Sequence, residues 1–209
     1  MNNLKKIFNF IQVVWNLKNT YRWCKTNDWR EESTAEHTWR LVIMAILLEK
    51  ELQLDIDLEK ALKIAVIHDI AESITWDLDA ALLHKNWWQD IKTQNEVMAM
   101  NKLKDMLPNE IWKEIFDLWN EYEKHETQES KYIKALDKLE THTWVIETWY
   151  KYFDEWHLDF TVHYCDKSVS DFPALISYYR ILKLKLKEEY LKWWFEWKDE
   201  YDIINENLI

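Results

Sequence analysis

Four residues of metal-binding types form a series along this chain: His37, the adjacent pair His68-Asp69, and Asp137. The adjacent His-Asp pair offers a nitrogen ligand and an oxygen ligand at one point of the backbone. With a second His and a distant Asp, such a mixed set suits Mn, Fe, Co, Ni or Zn better than Ca, which prefers oxygen ligands alone. We therefore predict a metal site that supports metal-assisted hydrolysis.

Asp137 lies on or beside the apolar stripe of its predicted helix, four residues after Ile133 and next to Leu136. A buried carboxylate needs a partner or a metal ion. The alternative is a partly exposed Asp that pairs with Lys134 or Lys138. The sequence alone leaves both interpretations open.

Three further residues could take part in the chemistry. Glu72 lies four residues after His68 and three after Asp69, so a continuous helix would place all three on one face. A carboxylate there could act as a general acid or base beside a metal-bound water. Arg22, in a segment predicted to be irregular, could bind a phosphate with two hydrogen bonds. Asp77 follows the Glu72 helix directly. The simpler interpretation of each is a surface charge or a helix-capping residue.

Composition excludes several classes of partner. The net charge of −11 opposes nonspecific binding to nucleic acid or to anionic lipid. Cys24 and Cys165 lie far apart without a CxxC pattern, so we expect reduced thiols in a cytoplasmic protein. The N-terminal segment does not resemble a signal peptide, and no uncharged apolar stretch is long enough to span a membrane.

The apolar periodicity predicts an all-α chain without convincing strands. At 209 residues the chain is most simply a single domain. Ser33 or Thr34 and Asp57 are expected helix caps. We predict irregular segments at 16–34 and 151–170, and helices over 3–14, 33–52, 57–74, 89–107, 108–124, 128–150 and 173–200.

The chain contains 15 Trp and no Gly. Ordinary usage would give roughly 15 Gly in a chain of this length. Trp15, Trp29 and Trp76 stand where a turn or helix end would favour Gly. Because the UGA codon specifies Trp in some genetic codes and Gly in others, we hypothesise that many of these positions are Gly in the natural protein. The alternative is a genuine Trp-rich protein without Gly.

Five segments resemble the HD-domain phosphohydrolases, specifically their 5′-deoxynucleotidase branch. The resemblance covers most of residues 16–140 and has no motif-level counterpart after about residue 150. The segments are NLKNTYRW (16–23), STAEHTWRLVIMAILL (33–48), ALKIAVIHDIAESITWDLDA (61–80), LPNEIWKEIFDLWNEYE (107–123) and KYIKALDKLE (131–140).

The resemblance implies roles for particular residues. Arg22 matches an arginine that holds the substrate phosphate, and Trp23 occupies a position that favours deoxyribose in some members. Glu72 and Asp77 match catalytic or substrate-orienting acids. Trp76 departs from the family, which has Gly just before that Asp. The implied ligands of one divalent ion, such as Co or Mn, are His37, His68, Asp69 and Asp137.

The resemblance also implies an HD-domain helical bundle with a mononuclear metal site. We expect one HD domain over residues 1–209, with a motif-bearing core at about 16–140 and a helical C-terminal extension at about 150–209. Members are often homodimers. The expected activity is removal of the 5′-phosphate from deoxyribonucleoside monophosphates. The alternatives are hydrolysis of a cyclic or polyphosphorylated nucleotide, and a catalytically silent helical module that binds a nucleotide or a partner.

Overall fold

The computed structural model describes residues 2–77, 89–148 and 155–203, and it confirms the all-α class. Short 3-10 segments occur at Trp15–Lys18, Pro173–Leu175 and Asp199–Asp202. The helices are α1 (Asn3–Val14), α2 (Thr34–Leu52), α3 (Leu58–Ile67), α4 (Glu72–Thr75), α5 (Gln89–Lys104), α6 (Asn109–Lys124), α7 (Gln128–Thr148), α8 (Glu155–His163), α9 (Asp166–Asp171) and α10 (Ile176–Lys192).

A small hairpin precedes α2, where we predicted an irregular segment without strands. Strands β1 (Tyr21–Lys25) and β2 (Glu31–Ser33) are antiparallel, with Tyr21 opposite Ser33 and Lys25 opposite Glu31. That part of the prediction is wrong, because strands of five and three residues are too short to show an alternating pattern. The hairpin matters because β1 carries Arg22.

The helix caps expected from the sequence are present. Ser33 caps α2 and forms a capping box with Glu36, in which each side chain bonds the backbone of the other residue. The side chain of Asp57 accepts a hydrogen bond from the backbone of Lys60 and caps α3. These caps fix the first turns of the helices and hence the directions of the side chains that follow.

The predicted helix over 57–74 is broken at His68. Helix α3 ends at Ile67, and a tighter turn then leads into α4. The N–H groups of Ile70, Glu72 and Ser73 donate to carbonyls three residues earlier, which is 3-10 bonding. A 3-10 turn rotates and advances the chain differently from an α-helix, so the assumed α-helical face of Glu72 was wrong.

The main core lies where α2, α3, α7, α9 and α10 pack together. It consists of buried apolar residues, many of which lie on α2, α3 and α7. These include Leu41, Ala45, Ala61, Ile64, Ala65, Ile133, Leu136 and Leu139. The burial of this face holds the three helices in one relative position.

The C-terminal prediction was only partly correct. Helices α8 and α9 occupy much of the segment 151–170, which we predicted to be irregular, and the predicted last helix over 173–200 ends at Lys192. Frequent aromatic residues in this region hide the helical period. Residues 149–154 lie outside the described residues. Among those described, every helix is too short or too polar to serve as a transmembrane span.

Candidate metal centre

His37 lies in the first turn of α2 and is completely buried. Its Nδ1 lies 2.5 Å from Oε2 of Glu140 on α7, so the Nδ1 hydrogen is donated to that carboxylate. Its Nε2 is buried and has no hydrogen-bond partner among the described residues. The ring therefore has one nitrogen fixed by the protein and the other available as a ligand.

His68 shows the same division of its two nitrogens. Nδ1 lies 2.8 Å from the carbonyl oxygen of Ala65 and donates its hydrogen there. Nε2 is buried and, within the described part of the chain, makes no hydrogen bond. The ring centres of His68 and His37 are 5.6 Å apart. Two imidazoles thus direct unused nitrogens toward one small region.

Two carboxylates lie in that same region. Oδ2 of Asp69 is 2.9 Å from Nε2 of His68 and 3.9 Å from Nε2 of His37, while Oδ1 of Asp137 is 3.2 Å from Nε2 of His37. None of these short contacts has the geometry of a hydrogen bond. Ligand atoms of His37, His68 and Asp69 all lie within 4.8 Å of one another, and Asp137 joins them through His37.

The four residues fit a divalent transition-metal ion. Two imidazole nitrogens and two carboxylate oxygens form the mixed donor set that Mn, Co or Zn accepts. The two orphaned Nε2 atoms are the strongest sign, because buried polar atoms without a partner are rare unless an ion or water satisfies them. The structure therefore brings together all four residues that the sequence predicted as ligands.

The local charges also favour a cation at this point. Burial and Arg22 oppose protonation of His37, but Glu140 and Asp137 outweigh them and raise the pKa of His37 to about 10. Burial opposes ionisation of Asp69 and Asp137, yet the neighbouring cationic groups lower the pKa of both carboxyls. The carboxylates thus favour positive charge beside the imidazoles, which a proton or a metal ion can supply.

Asp137 is held by two residues on its other oxygen. The hydroxyl of Tyr122 donates to Oδ2 at 2.9 Å, and Nζ of Lys138 lies 3.1 Å from the same atom. The Tyr122 ring also packs edge-on against the ring of His68 at 5.0 Å between centres. Oδ1 of Asp137 is therefore left facing His37. The sequence offered pairing of Asp137 with Lys138 as an alternative to a metal-ligand role. In the structure Lys138 contacts one oxygen of Asp137, while the other oxygen still faces His37.

Glu72 is buried beside the four-residue cluster. The hydroxyl of Thr34 donates to its Oε2 at 3.1 Å, and Nζ of Lys92 lies 3.7 Å from its Oε1. Burial, followed by repulsion from Asp69 and Asp77, raises the pKa of Glu72 well above its usual range. Glu72 therefore retains a proton more readily than a solvent-exposed glutamate does, which is suited to proton transfer.

Asp77 lies just after Trp76, whose backbone has φ 68° and ψ 159°. Burial raises the pKa of Asp77, whereas Arg22 and Lys92 oppose that rise. Lys92 also lies near Glu72, so its positive charge acts on both carboxyl groups. The position of Asp77 depends on the backbone at Trp76, the residue that departs from the family pattern.

Strand β1 brings Arg22 to helix α7. Its Nη2 donates to Oγ1 of Thr141, 3.1 Å away, and Thr141 lies one helical turn after Asp137. Nε of Arg22 is buried without a hydrogen bond to any described residue and lies 4.0 Å from Glu32. A guanidinium in this place could meet an anion bound beside Asp137. The side chain of Trp23, the next residue on β1, lies outside the described part of the chain.

Several residues of the site were not predicted. They hold or surround the predicted residues, and they are Thr34, Lys92, Tyr122 and Glu140. Only Glu140 had a usable signal, since it lies three residues after Asp137 on one helix and so near the same face. The others come from different elements, and nothing in their local sequence pairs them with their partners.

Comparison with known proteins agrees with this geometry. A family model described as HD domain matches residues 14–172. The chain is 31% identical over 138 residues to 5′-deoxynucleotidase HDDC2 of Bos taurus, covering 65% of this chain and 64% of that protein. It is 34% identical over 140 residues to 5′-deoxynucleotidase hdd1 of Schizosaccharomyces pombe, covering 64% and 68%. The chain thus spans just under two thirds of the bovine relative's length.

A solved structure is also similar over nearly the whole chain. It is described as a predicted metal-dependent phosphohydrolase from Magnetospirillum magnetotacticum, with a TM-score of 0.72 and 27% sequence identity. The match covers 89% of this chain and 93% of that one. The similarity therefore includes the C-terminal helices, for which the sequence showed no motif.

Proposed function

Because the chain belongs to the HD-domain family, we propose that it is a metal-dependent phosphohydrolase that removes the 5′-phosphate from deoxyribonucleoside monophosphates. The observation that carries this proposal is the convergence of two orphaned imidazole nitrogens and two carboxylates in one buried cluster. The relatives named 5′-deoxynucleotidases support the choice of substrate. The matched region contains every residue of the proposed site.

The proposed ligands of one divalent ion, Co or Mn, are His37, His68, Asp69 and Asp137. When bound, such an ion supplies a Lewis acid that lowers the pKa of a coordinated water and offsets phosphate charge. The protein fixes each imidazole by a hydrogen bond at Nδ1, so that no rearrangement of the rings is needed. Tyr122 and Lys138 likewise fix the carboxylate of Asp137.

Arg22 is the proposed phosphate-binding residue. Its guanidinium already lies beside α7 through Thr141, and its Nε has no hydrogen bond within the described residues. A phosphate oxygen can accept from this free donor and from a second guanidinium N–H. Positive charge there is most useful as negative charge develops on the phosphoryl oxygens in the transition state.

Glu72 is the proposed acid–base residue. Thr34 holds one carboxylate oxygen, and the raised pKa allows the other to carry a proton or to accept one. It would accept a proton from the attacking water or deliver one to the leaving 5′ oxygen. Asp77 is proposed to orient the substrate or to assist in catalysis. The positive charges of Arg22 and Lys92 act on Asp77 as they do on Glu72.

The remaining assignments stay predictions from the sequence. Trp23 is proposed to favour deoxyribose over ribose. We propose a single HD domain over residues 1–209 in a cytoplasmic homodimer. The net charge of −11 opposes binding of nucleic acid or an anionic membrane, but it does not forbid a small nucleotide, because local positive charge can reverse the field in a pocket. Arg22, Lys92 and Lys138 supply positive charge locally where the phosphate would bind.

Phosphate release from a panel of nucleotides tests this function. With Co²⁺ or Mn²⁺ present, the protein should release phosphate from deoxyribonucleoside 5′-monophosphates and much less from 3′-monophosphates or ribonucleotides. Preference for a cyclic or polyphosphorylated nucleotide would replace the proposed substrate with another of the same reaction class. Absence of any release, together with tight nucleotide binding, would favour a silent binding module.

A further inference from the structure

Glu140 lies on α7 one helical turn after Asp137 and is completely buried. Each of its carboxylate oxygens has a separate partner. Oε2 is 2.5 Å from Nδ1 of His37, and Oε1 is 2.5 Å from Nε of Arg40. A buried carboxylate with both oxygens bonded to cationic or hydrogen-donating groups has little freedom to move.

The contact with Glu140 determines which nitrogen of His37 is available. A neutral imidazole carries its hydrogen on one nitrogen and a lone pair on the other. Glu140 accepts only from a protonated Nδ1, so Nε2 is the nitrogen left to face Asp69 and Asp137. Without this acceptor, the tautomer with its hydrogen on Nε2 would no longer be disfavoured, and a hydrogen there would occupy the lone-pair position that a metal ion needs.

The two histidines of the cluster are held by different acceptors. Nδ1 of His68 donates to the neutral carbonyl of Ala65, within the same helical segment. Nδ1 of His37 donates instead to a carboxylate from another helix, 103 residues away in the chain. A carboxylate acceptor increases the electron density of the imidazole more than a carbonyl does, and so makes it a stronger ligand.

Arg40 anchors Glu140 from the same helix that carries His37. Arg40 lies three residues after His37 on α2, and Glu140 lies three residues after Asp137 on α7. Each helix thus contributes one member of the proposed metal site and one member of the supporting pair. The second contact of Arg40, Nη1 to Glu147 at 2.9 Å, lies at the surface.

We propose that Glu140 is a positioning residue of the metal centre, which fixes the tautomer and orientation of His37 and thereby strengthens metal binding. This inference rests on the proposed role of His37 as a ligand. Arg40 keeps the Glu140 carboxylate in place and compensates its buried charge. Glu140 contacts His37 and Arg40 and is not one of the four proposed ligands, so its effect should appear first in metal affinity.

The test is the affinity of purified protein for Co²⁺, measured by competition with a chelator. Glu140→Gln has nearly the same shape but removes the negative charge and offers an amide that can also donate. We expect its Co²⁺ affinity to fall by about 10- to 100-fold, as for other carboxylates that support a metal-bound histidine. Glu147→Gln, which removes the other carboxylate partner of Arg40, is the matched control and should bind Co²⁺ as the wild type does.

A second readout separates positioning from a merely structural role. In Zn²⁺-loaded protein with ¹⁵N-labelled histidine, the ring of His37 should carry its hydrogen on Nδ1 in the wild type. Glu140→Gln should shift the ¹⁵N resonances of His37 while those of His68 stay unchanged. If Glu140→Gln fails to fold, Glu140→Asp replaces it. That variant retains the charge but withdraws it by one methylene, and should bind Co²⁺ more weakly than the wild type.

A folded Glu140→Gln protein with wild-type Co²⁺ affinity and unshifted His37 resonances would overturn the role of Glu140, as would a Glu140→Asp protein with unchanged affinity. Neither readout requires substrate. A wild-type protein that binds Co²⁺ but releases no phosphate would therefore contradict the proposed function alone.

Discussion

The cluster of His37, His68, Asp69 and Asp137 and the turn that follows Glu72 differ in how their side chains are held in place. In the cluster, His37 and His68 each have one nitrogen fixed by a nearby acceptor, and the helices that carry them pack through a fully buried core. In the turn, Trp76 adopts φ 68° and ψ 159°, a region that essentially only Gly occupies without strain, and the residue is 62% exposed. The proposed ligands His37 and His68 are thus positioned by hydrogen bonds to nearby acceptors, whereas the position of Asp77 depends on a strained backbone.

The strain at Trp76 supports the hypothesis that some Trp positions are Gly in the natural protein. Among the described residues, five non-Gly residues have positive φ, and three of them are Trp29, Trp76 and Trp194. Trp15, by contrast, has the ordinary φ of −52° and gives the hypothesis no support. The codons decide the matter, because UGG at Trp29, Trp76 and Trp194 would exclude it.

The largest effect is expected from removing a cluster carboxylate. Asp137→Ala should lose the metal and all detectable turnover while retaining most of its helix content, because Asp137 faces His37 and not the apolar core alone. Metal analysis and circular dichroism of the purified variant test this. Asp117→Ala, which removes an exposed carboxylate on α6, is the control. Wild-type metal stoichiometry in Asp137→Ala would show that the residue is not a ligand.

Glu72→Ala should separate catalysis from metal binding. Glu72 is held by Thr34 and is not one of the four proposed ligands, so the variant should keep its metal. Turnover should fall by about 10²-fold or more, the range for loss of a general acid or base. Glu72→Gln should show a similar loss if the proton matters. A near wild-type rate in Glu72→Ala would contradict the assigned role.

Trp119→Gly should be strongly destabilising. Trp119 is 4% exposed and belongs to the apolar cluster between α1, α5 and α6. Loss of the indole and of helix propensity together should lower the free energy of unfolding by about 3 kcal/mol or more. This corresponds to a decrease in Tm of about 6 to 12 °C for a chain of this size. Thermal denaturation measures it, and an unchanged Tm would mean that the indole is not packed there.

Trp76→Gly should have the opposite and smaller effect. Relief of the positive φ should raise the free energy of unfolding by about 1 kcal/mol. Activity should also rise, because Asp77 follows directly and its placement depends on this turn. Tm values of the Trp76→Gly and Trp119→Gly variants, measured side by side, test the difference between the two regions. Equal destabilisation by both changes would contradict the Gly hypothesis at position 76.

The parts of the structure that were predictable from the sequence depend on local signals. The start of α2 followed from Ser33 and Glu36, since a capping box acts within four residues. Asp137 was recognisable because a carboxylate is unusual on an apolar stripe, and His68 and Asp69 because they are adjacent. His37 stood out only as the residue that completes the series with these three. Such features are visible without knowing what packs against them.

The missed parts depend on contacts between distant segments. The hydrogen bond of Glu140 to His37 joins residues 103 positions apart, and that of Tyr122 to Asp137 joins two different helices. The 3-10 turn after His68 was also missed, because an apolar run alone does not show where an α-helix tightens. Tertiary packing determines these two hydrogen bonds and this turn, and a single sequence does not reveal that packing.

Anomalous diffraction from a crystal of the Co²⁺-loaded protein tests the central claim most directly. We predict one strong peak among Nε2 of His37, Nε2 of His68 and the carboxylates of Asp69 and Asp137, at about 2.0 to 2.2 Å from each ligand atom by analogy with zinc sites. A peak bound to other residues, or no peak within the cluster, would contradict the assignment of this cluster as the metal centre.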